Sequence, residues 1–186
     1  RKAIYSQFRN LWHQDMERNV FERYGFEYEN HFNILVDLTK AEEQLWNEVH
    51  SKRRNEIRRA LKENAYFSIE ESADSLLKSY TILKEVYGRA KLPLPDYKFF
   101  ENLKSSLTGE SKLHTFTAKY NGEIIGCMLA LGYKNVLYDF YAGAYSEYYK
   151  KYPNDLIPWE VFRWAKQNGY TVFDFGGAGK PGVPYG

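Results

Sequence analysis

Three consecutive strand patterns joined by tight turns constrain the fold of this chain more than any other feature of its sequence. The segments LHTFTAKY, EIIGCMLALGY and VLYDFYAGA are rich in aromatic and β-branched residues, as strands are. Asn121-Gly122 separates the first two segments, and this pair is a strong signal for a two-residue hairpin. The chain is therefore expected to contain an antiparallel meander.

A helix and a further strand follow the meander. The segment PNDLIPWEVFRWAKQNGY predicts a helix with Asn154 or Asp155 as its cap, Pro158 in its first turn and Gly169 at its end. The segment TVFDF then completes a strand–helix–strand unit. Together with the meander, this unit predicts an α+β domain built on one mixed sheet.

The first half of the chain is mainly helical by pattern. We expect strands at AIYSQFRN, HFNILVDL and YFSIE. Thr39 and Glu42 have the spacing of a capping box. The predicted helices run from Gln14 to Tyr24, from Thr39 to Val49, from Ser51 as the cap to about Asn64, from Ser72 or Asp74 to about Arg89, and from Asp96 to about Leu107.

Composition narrows the class of protein. Apolar residues make up 44% of the 186 residues and the net charge is +2, which is typical of a folded domain rather than a disordered chain. The single cysteine, Cys127, can form no disulfide within the chain, which fits a cytoplasmic location, and we interpret it as a small core residue. The four histidines lack metal-ligand spacing, and the longest apolar run, about ten residues, is too short to span a bilayer. We expect neither a metal site nor an integral membrane segment.

One predicted helix is strongly basic although the chain is nearly neutral. The segment SKRRNEIRRALKEN places six basic side chains in fourteen positions. At 100° per residue, Ile57, Ala60 and Leu61 fall on one face and are expected to be buried. Arg54 and Arg58 belong to a neighbouring stripe that has no acidic residue on the helix.

The basic stripe has three possible explanations. It is a solvated surface, a contact for nucleic acid, or a site for a phosphate-bearing substrate. Arginine suits the third, because its planar fork matches phosphate geometry. The helix geometry does not choose among them.

Glycine and carboxylate residues form two further candidate patterns. The segment FDFGGAGKPG contains G-x-G-x-x-G, but Pro181 disfavours the helix that a dinucleotide-binding fingerprint needs, so we expect a loosely ordered loop there. Asp139 and Asp174 lie on otherwise apolar strands. Each is a candidate general base, with a hydrogen-bonded structural carboxylate as the alternative.

Three segments taken together resemble the second domain of the FemABX family of peptidoglycan-bridge aminoacyltransferases, relatives of the GNAT superfamily. They are SKRRNEIRRALKEN, NGEIIGCMLAL, and the stretch from LYDFYAGAYSEYY to TVFDFGG. The resemblance implies a GNAT-like fold with a mixed, mostly antiparallel sheet flanked by helices. It also implies that residues 1–24 are the tail of a preceding GNAT-like domain and residues 25–186 a GNAT-like domain truncated at its C-terminal end.

The resemblance also implies a function. FemABX enzymes transfer an amino acid from aminoacyl-tRNA to a peptide amine of a UDP-MurNAc-peptide or of a lipid-linked peptidoglycan precursor, with no further cofactor and with at most peripheral membrane association. Arg54, Asn55 and Arg58 match the family's basic helix, which makes the stripe a phosphate clamp. Tyr138 and Tyr141 match its tyrosine-bearing strand beside the acceptor peptide, so we expect Arg54 and Arg58 to face a cleft that they share with these tyrosines. A family lysine near the reacting oxyanion would lie beyond the printed sequence.

Two other functions remain open on sequence alone. A coenzyme A-dependent N-acyltransferase of the same fold, acting on a cell-envelope amine, would hold pyrophosphate on a Q/R-x-x-G-x-G/A loop. No glycine in this chain has Gln or Arg three residues before it, which counts against that function. A non-catalytic RNA-binding module would need aromatic platforms beside the basic stripe.

Overall fold

The computed structural model describes Ser6, Phe8 and Arg18–Gly179. These residues divide into two units, one of them Asn33–Gly177 and the other the described part of residues 1–32 and 178–186. The predicted strand AIYSQFRN, apart from Ser6 and Phe8, the start of the first predicted helix and the loop after Gly179 lie outside the described residues. The assignment of residues 1–24 to a preceding domain stays a prediction.

The smaller unit contains helix α1 (Arg18–Arg23), which is followed by Gly25 in a left-handed conformation. Phe8, Phe21 and Phe26 pack together with ring centroids 5.3 to 5.6 Å apart. These three rings form an apolar contact within the smaller unit.

The larger unit alternates between helices and strands and carries the whole sheet. Its elements are β1 (Asn33–Asp37), α2 (Glu42–Glu48), α3 (Ser51–Lys62), β2 (Tyr66–Glu70), α4 (Ala73–Ala90), α5 (Tyr97–Ser106), β3 (Ser111–Tyr120), β4 (Glu123–Tyr133), β5 (Val136–Ala144), a 3₁₀ helix (Ser146–Lys151), α6 (Pro153–Gln167) and β6 (Val172–Gly177).

The six strands form one sheet in the order β1-β6-β5-β4-β3-β2. Every neighbouring pair is antiparallel except β5 and β6, which are parallel. The parallel pair follows from the connection, because α6 carries the chain back along the sheet between the two strands. The predicted α+β fold with a mixed, mostly antiparallel sheet is confirmed.

Helices cover both faces of the sheet, so the central strands are buried on both sides. Met128 and Ala130 of β4 join one core cluster, which α2, α3 and α6 cover. Cys127 and Leu129 point the other way into a second cluster, which α4 and α5 cover. Burial on both faces explains why β4 reads as a continuous apolar run rather than an alternating one.

Local sequence signals placed several elements correctly. Asn121 and Gly122 have φ of 52° and 83°, as a two-residue hairpin turn of this hand requires. The side chains of Ser72 and Asp96 each accept a backbone N–H in the first turns of α4 and α5. Each of these signals depends only on residues close in sequence.

The predicted caps of α2 and α3 were wrong. Thr39 does not cap α2, because its hydroxyl donates to Asp37 Oδ1 at 2.6 Å in a local turn. The capping position is Ala41, whose backbone N–H donates to Gln44 Oε1 at 3.0 Å. The residue at the cap of α3 is His50, one position before the predicted Ser51.

The start of α6 also differs from the prediction. The helix begins at Pro153, after Tyr152 in a left-handed conformation, and neither Asn154 nor Asp155 is its cap. Proline fits the first helical position because the N–H that it lacks would have no intrahelical partner there. Pro158 therefore lies inside the helix rather than in its first turn.

Leu61 of α3 was predicted to be buried but is 49% exposed. Ile57 and Ala60 are buried as predicted. The reason is that α3 packs mainly against α6, and Arg53 reaches across to Asp155 of α6 at 2.8 Å. The buried stripe is thus centred on the side of Ala60, away from Leu61.

Candidate functional site

A cleft opens where β5 and β6 separate. The two strands pair at three positions, Val136 with Val172, Leu137 with Phe173 and Tyr138 with Asp174. β5 continues to Ala144, and no described strand pairs with this side of it beyond Tyr138. The space between the diverging strands has a volume of about 340 Å³.

The walls of the cleft come from six elements of the larger unit, namely α4, β4, β5, the 3₁₀ helix, α6 and β6. Small side chains of β5 make room for it, and the N-terminal turns of α6 form the opposite wall. The lining residues are Val86, Cys127, Met128, Asp139, Ala142, Gly143, Ala144, Tyr149, Asn154, Ile157, Pro158 and Phe175.

Gly126 of β4 allows α6 to begin close to the sheet. A Cβ atom added at Gly126 would lie 2.8 Å from the Cβ of Pro153, which is closer than two such atoms can approach. The glycine thus fixes the position of the first turn of α6 beside the cleft.

A β-bulge in β5 decides which way Asp139 points. Across β4, Tyr141 pairs with Leu129 and Asp139 pairs with Ala130, which leaves Phe140 as the extra residue. Opposite residues share a face, so Asp139 points to the α6 side of the sheet.

Asp139 is a carboxylic acid in a mostly apolar site. Among the described residues its carboxylate has no hydrogen-bond or ion-pair partner. Burial raises the pKa of Asp139 from 3.8 to about 7, because the charged form loses hydration that nothing replaces. A carboxyl group with this pKa can accept and release a proton near neutral pH.

Asp174 is a different kind of carboxylate, although sequence reasoning paired it with Asp139. It is 1% exposed and accepts hydrogen bonds from Asn33 Nδ2 at 3.1 Å and from the Gly176 backbone N–H at 2.7 Å. Gly176 has a φ of +82°, so Asp174 holds the turn at the end of β6 and the edge strand β1 together. These contacts favour the structural alternative over a general base.

Tyr138 and Tyr141 lie on the opposite face of the sheet from Asp139. The ring of Tyr141 packs against Phe100, with centroids 5.1 Å apart, inside the cluster under α4 and α5. Tyr138 lies beside Gly176, where an added Cβ would be 3.2 Å from the Tyr138 hydroxyl oxygen. Of the two tyrosines, Tyr138 is therefore at the point where β5 and β6 diverge.

Arg54 and Arg58 contact α2 rather than the tyrosines. Arg54 Nη1 donates to the backbone oxygens of Trp46 and Asn47 at 3.2 and 3.0 Å, which satisfies carbonyls at the end of α2. Arg58 lies 5.2 Å from the centroid of the Trp46 ring and donates to Asn55 Oδ1 at 3.2 Å.

The structure thus corrects the expectation that both arginines share a cleft with the tyrosines. Trp46 packs in the cluster on the α6 side of the sheet, whereas Tyr141 belongs to the cluster on the other side. Sequence periodicity places residues around one helix but carries no information about which sheet face that helix covers.

Cys127 lines the cleft but is not a nucleophile. It is 1% exposed, and its thiol donates to the backbone oxygen of Ser79 at 3.5 Å. Burial raises the pKa of the Cys127 thiol to about 12, so it stays protonated. The interpretation of this residue as a small core side chain agrees with these contacts.

Sequence reasoning missed Tyr149, Asn154 and Phe175, which all line the cleft. A usable signal existed in the run of small residues at the end of β5, since small side chains beside a strand's free edge leave space for a ligand. No group of three or more His, Cys, Asp or Glu residues in the described part of the chain could hold a metal ion. None of the described helices has the length and apolar character needed to cross a membrane.

Solved structures share this architecture. The chain resembles FemX with a TM-score of 0.77 at 14% identity, covering 90% of this chain and 61% of that one. It resembles L-PGS from Bacillus licheniformis with a TM-score of 0.65 at 19% identity, covering 91% and 54%. It also resembles the C-terminal domain (DUF2156) of an Agrobacterium fabrum protein assigned as a lysylphosphatidylglycerol synthetase, with a TM-score of 0.62 at 12% identity, covering 89% and 52%.

These likenesses confirm the FemABX-like, GNAT-type fold expected from the sequence. The chain spans about three fifths of the FemX chain and about half of the other two. No curated protein sequence matches the chain. A family model described as "Acetyltransferase (GNAT) domain" matches residues 51–183, which include the basic helix, the bulged strand β5 and the cleft. With most of its length matched, the chain belongs to the acetyltransferase (GNAT) domain family.

Proposed function

We propose that this protein is an acyltransferase that transfers an amino acid from aminoacyl-tRNA to an amine of a cell-envelope precursor. The fold shared with FemX and with L-PGS supports aminoacyl transfer as the reaction class. The proposed acceptor is the peptide of a UDP-MurNAc-peptide or of a lipid-linked peptidoglycan precursor, and the proposed location is the cytoplasm, where charged tRNA is found.

The observation that carries this proposal is the unpaired Asp139 carboxylate in the cleft between β5 and β6. An attacking amine must be neutral, and with a pKa of about 7 Asp139 is ionised in a large fraction of molecules at neutral pH. In the proposed reaction the amine forms a C–N bond to the ester carbonyl and loses a proton to Asp139. The ester C–O bond then breaks, and the departing ribose oxygen takes up the proton that Asp139 received, which returns Asp139 to its ionised form.

The basic helix is the proposed contact for the acceptor's diphosphate. Arg54 and Arg58 have no acidic partner among the described residues, so both guanidinium groups keep their positive charge uncompensated. Arg58 is exposed and is the better placed of the two, because Arg54 is half-buried and already donates to the carbonyls of α2. Asn55, which accepts from Arg58, would orient that side chain. Tyr138, at the divergence of β5 and β6, is the proposed contact for the acceptor peptide.

Coenzyme A-dependent acyl transfer is the second candidate, because the matching family model describes acetyltransferases. The segment that leads into α6 argues against it. That segment is the 3₁₀ helix SEYYKK followed by Tyr152 and Pro153, and it contains no glycine. A pyrophosphate loop of the Q/R-x-x-G-x-G/A type needs glycines there so that the backbone can approach the phosphates.

A donor comparison tests the proposal. The protein is assayed with aminoacyl-tRNA and with acyl-coenzyme A, in each case with a UDP-MurNAc-peptide that carries a free amine. We expect turnover with aminoacyl-tRNA, and a kcat/KM that rises with pH through an apparent pKa of about 7. Turnover with acyl-coenzyme A alone would establish the second candidate.

An Asp139→Asn variant tests the assigned base. It should lose about 10²- to 10⁴-fold in kcat and lose the titration near pH 7. Asp74→Asn is the control, because Asp74 is exposed, pairs with Lys78 at 2.9 Å and lies outside the cleft. Full activity in Asp139→Asn would show that Asp139 is not the base.

A further inference from the structure

The outer surface of α3 has a charge pattern that the fold itself does not require. The helix contains six basic residues and one acidic residue. Arg53 pairs with Asp155 at 2.8 Å, and Arg59 lies 4.0 Å from Glu63. In the described part of the chain, Arg58 and Lys62 form no ion pair, although Lys62 is close enough to Glu63 to help lower the pKa of that carboxyl group, which a hydrogen bond from Lys151 and the charge of Arg59 also lower.

An exposed leucine lies beside these two cations. Leu61 is 49% exposed, although it is on a helix whose other apolar residues, Ile57 and Ala60, are almost completely buried. At 100° per residue, Leu61 lies about 60° from Arg58 and about 100° from Lys62 around the helix axis, so the three side chains lie on one side of α3. We name Arg58, Leu61 and Lys62 the α3 outer patch.

We propose that the α3 outer patch docks the protein on an anionic lipid surface. Anionic headgroups attract basic side chains near the bilayer, and a leucine among those side chains can enter the boundary between headgroups and acyl chains. An RNA backbone would satisfy the cations equally well but would leave Leu61 exposed, so the patch fits a membrane better than RNA. Arg58 also belongs to the proposed diphosphate contact, but Leu61 and Lys62 do not, so this inference goes beyond the proposed function and is tested at the two residues that the proposed function does not use.

Vesicle binding of the full chain, without donor or acceptor, tests the proposal. The probes are vesicles of pure phosphatidylcholine and vesicles of three parts phosphatidylcholine to one part phosphatidylglycerol. We expect binding to the anionic vesicles alone, and weaker binding at high salt. Lys62→Glu should reduce partitioning about thirtyfold, since it removes one cation and adds an anion.

The leucine has a matched control elsewhere on the surface. Leu77 of α4 is 47% exposed, and it lies next to the ion pair of Asp74 with Lys78. Leu61→Asp should reduce vesicle binding at least about tenfold, whereas Leu77→Asp should leave it unchanged. Leu61→Ser, which removes the apolar side chain without adding a charge, should also reduce binding. It replaces the aspartate variant in the test if that variant unfolds.

Several outcomes would overturn the inference. They are an absence of binding to anionic vesicles, an equal loss in Leu61→Asp and Leu77→Asp, or a patch-dependent affinity for a short RNA duplex without vesicle binding. Activity on a soluble acceptor separates this inference from the proposed function. If turnover persists in Leu61→Asp and vesicle binding never occurs, the membrane inference fails and the proposed function stands.

Discussion

The stability of the larger unit should depend on pH through one buried group, His114, and one partly buried group, Asp139, which act in opposite directions. His114 of β3 is 4% exposed, its Nε2 lies 2.9 Å from the Tyr170 hydroxyl, and its Nδ1 has no hydrogen-bond partner among the described residues. Burial, with a smaller contribution from nearby Lys112, lowers the pKa of His114 from 6.5 to about 4. Asp139 has the opposite shift, from 3.8 to about 7, again through burial.

The signs follow from proton binding in the folded and unfolded states. Between pH 4 and 6.5 the unfolded chain binds more protons at His114 than the folded protein does. The free energy of unfolding therefore falls as pH drops through this window, by about 3 kcal/mol in total. At Asp139 the folded protein binds more protons, so the free energy of unfolding falls as pH rises from about 4 to about 7, by about 3–4 kcal/mol.

The two slopes should largely cancel in the wild-type protein, and single variants should reveal them. Asp139→Asn removes one slope, so its stability should rise by about 3 kcal/mol from pH 4 to 6.5 and should exceed that of wild type at pH 7. His114→Gln should show the reverse, with stability that falls as pH rises. Urea unfolding followed by tryptophan fluorescence at several pH values measures both.

Subtracting the wild-type profile isolates each group. Other carboxylates, such as Glu70, whose pKa is lowered to about 2, contribute equally to wild type and variant and cancel in the difference. Asp74→Asn, at an exposed ion pair, should change stability by less than about 1 kcal/mol at any pH. A difference profile for Asp139→Asn that is flat between pH 4.5 and 7 would refute the reasoning.

Two further predictions concern side chains and glycines outside the cleft. Arg54→Ala should lower the free energy of unfolding by about 1–3 kcal/mol, because it removes hydrogen bonds to carbonyls at the end of α2. Arg58→Ala, which removes only a contact with the Trp46 ring and a hydrogen bond to Asn55, should lower it by less than about 1 kcal/mol in the same urea assay. Equal effects would show that the α2 contact is not structural. Gly132→Ala should lower the free energy of unfolding by at least about 2 kcal/mol, since its Cβ would lie 2.1 Å from the Tyr170 hydroxyl oxygen. Gly88→Ala, whose Cβ would lie in open space on α4, should raise the free energy of unfolding by about 0.5–1 kcal/mol. A thermal scan in which both glycine variants behave alike would contradict this assignment.

The parts of the fold that could be predicted from sequence are those that depend on near neighbours. The Asn121-Gly122 hairpin and the caps at Ser72 and Asp96 are local arrangements that a few residues determine. Thr39 shows the limit of such signals. Its hydroxyl donates to the Asp37 carboxylate two residues away, in a local turn that competes with capping. The exposure of Leu61 could not be predicted, since it depends on which neighbour α3 packs against.

The candidate site depends on contacts between residues that are distant in sequence. The cleft exists because β5 and β6 pair at three positions and then separate, and one bulge residue sets the direction of the Asp139 side chain. Asp139 and Asp174 looked equivalent on their strands. The partner that distinguishes them, Asn33, is 141 positions away from Asp174 along the chain.

The contrast between these two aspartates supports a catalytic role for Asp139 on energetic grounds. Asp174 is fully buried, and its hydrogen bonds to Asn33 and Gly176 replace the hydration that its carboxylate loses. Asp139 has no such partner in the part of the chain that the structure describes, so its ionised form makes the folded state less stable near neutral pH. An asparagine at this position would fit the same space without that cost. Proton transfer requires a carboxyl group that lines a cleft and has a pKa near 7. Packing of the fold does not require such a group, because its ionised form lowers stability.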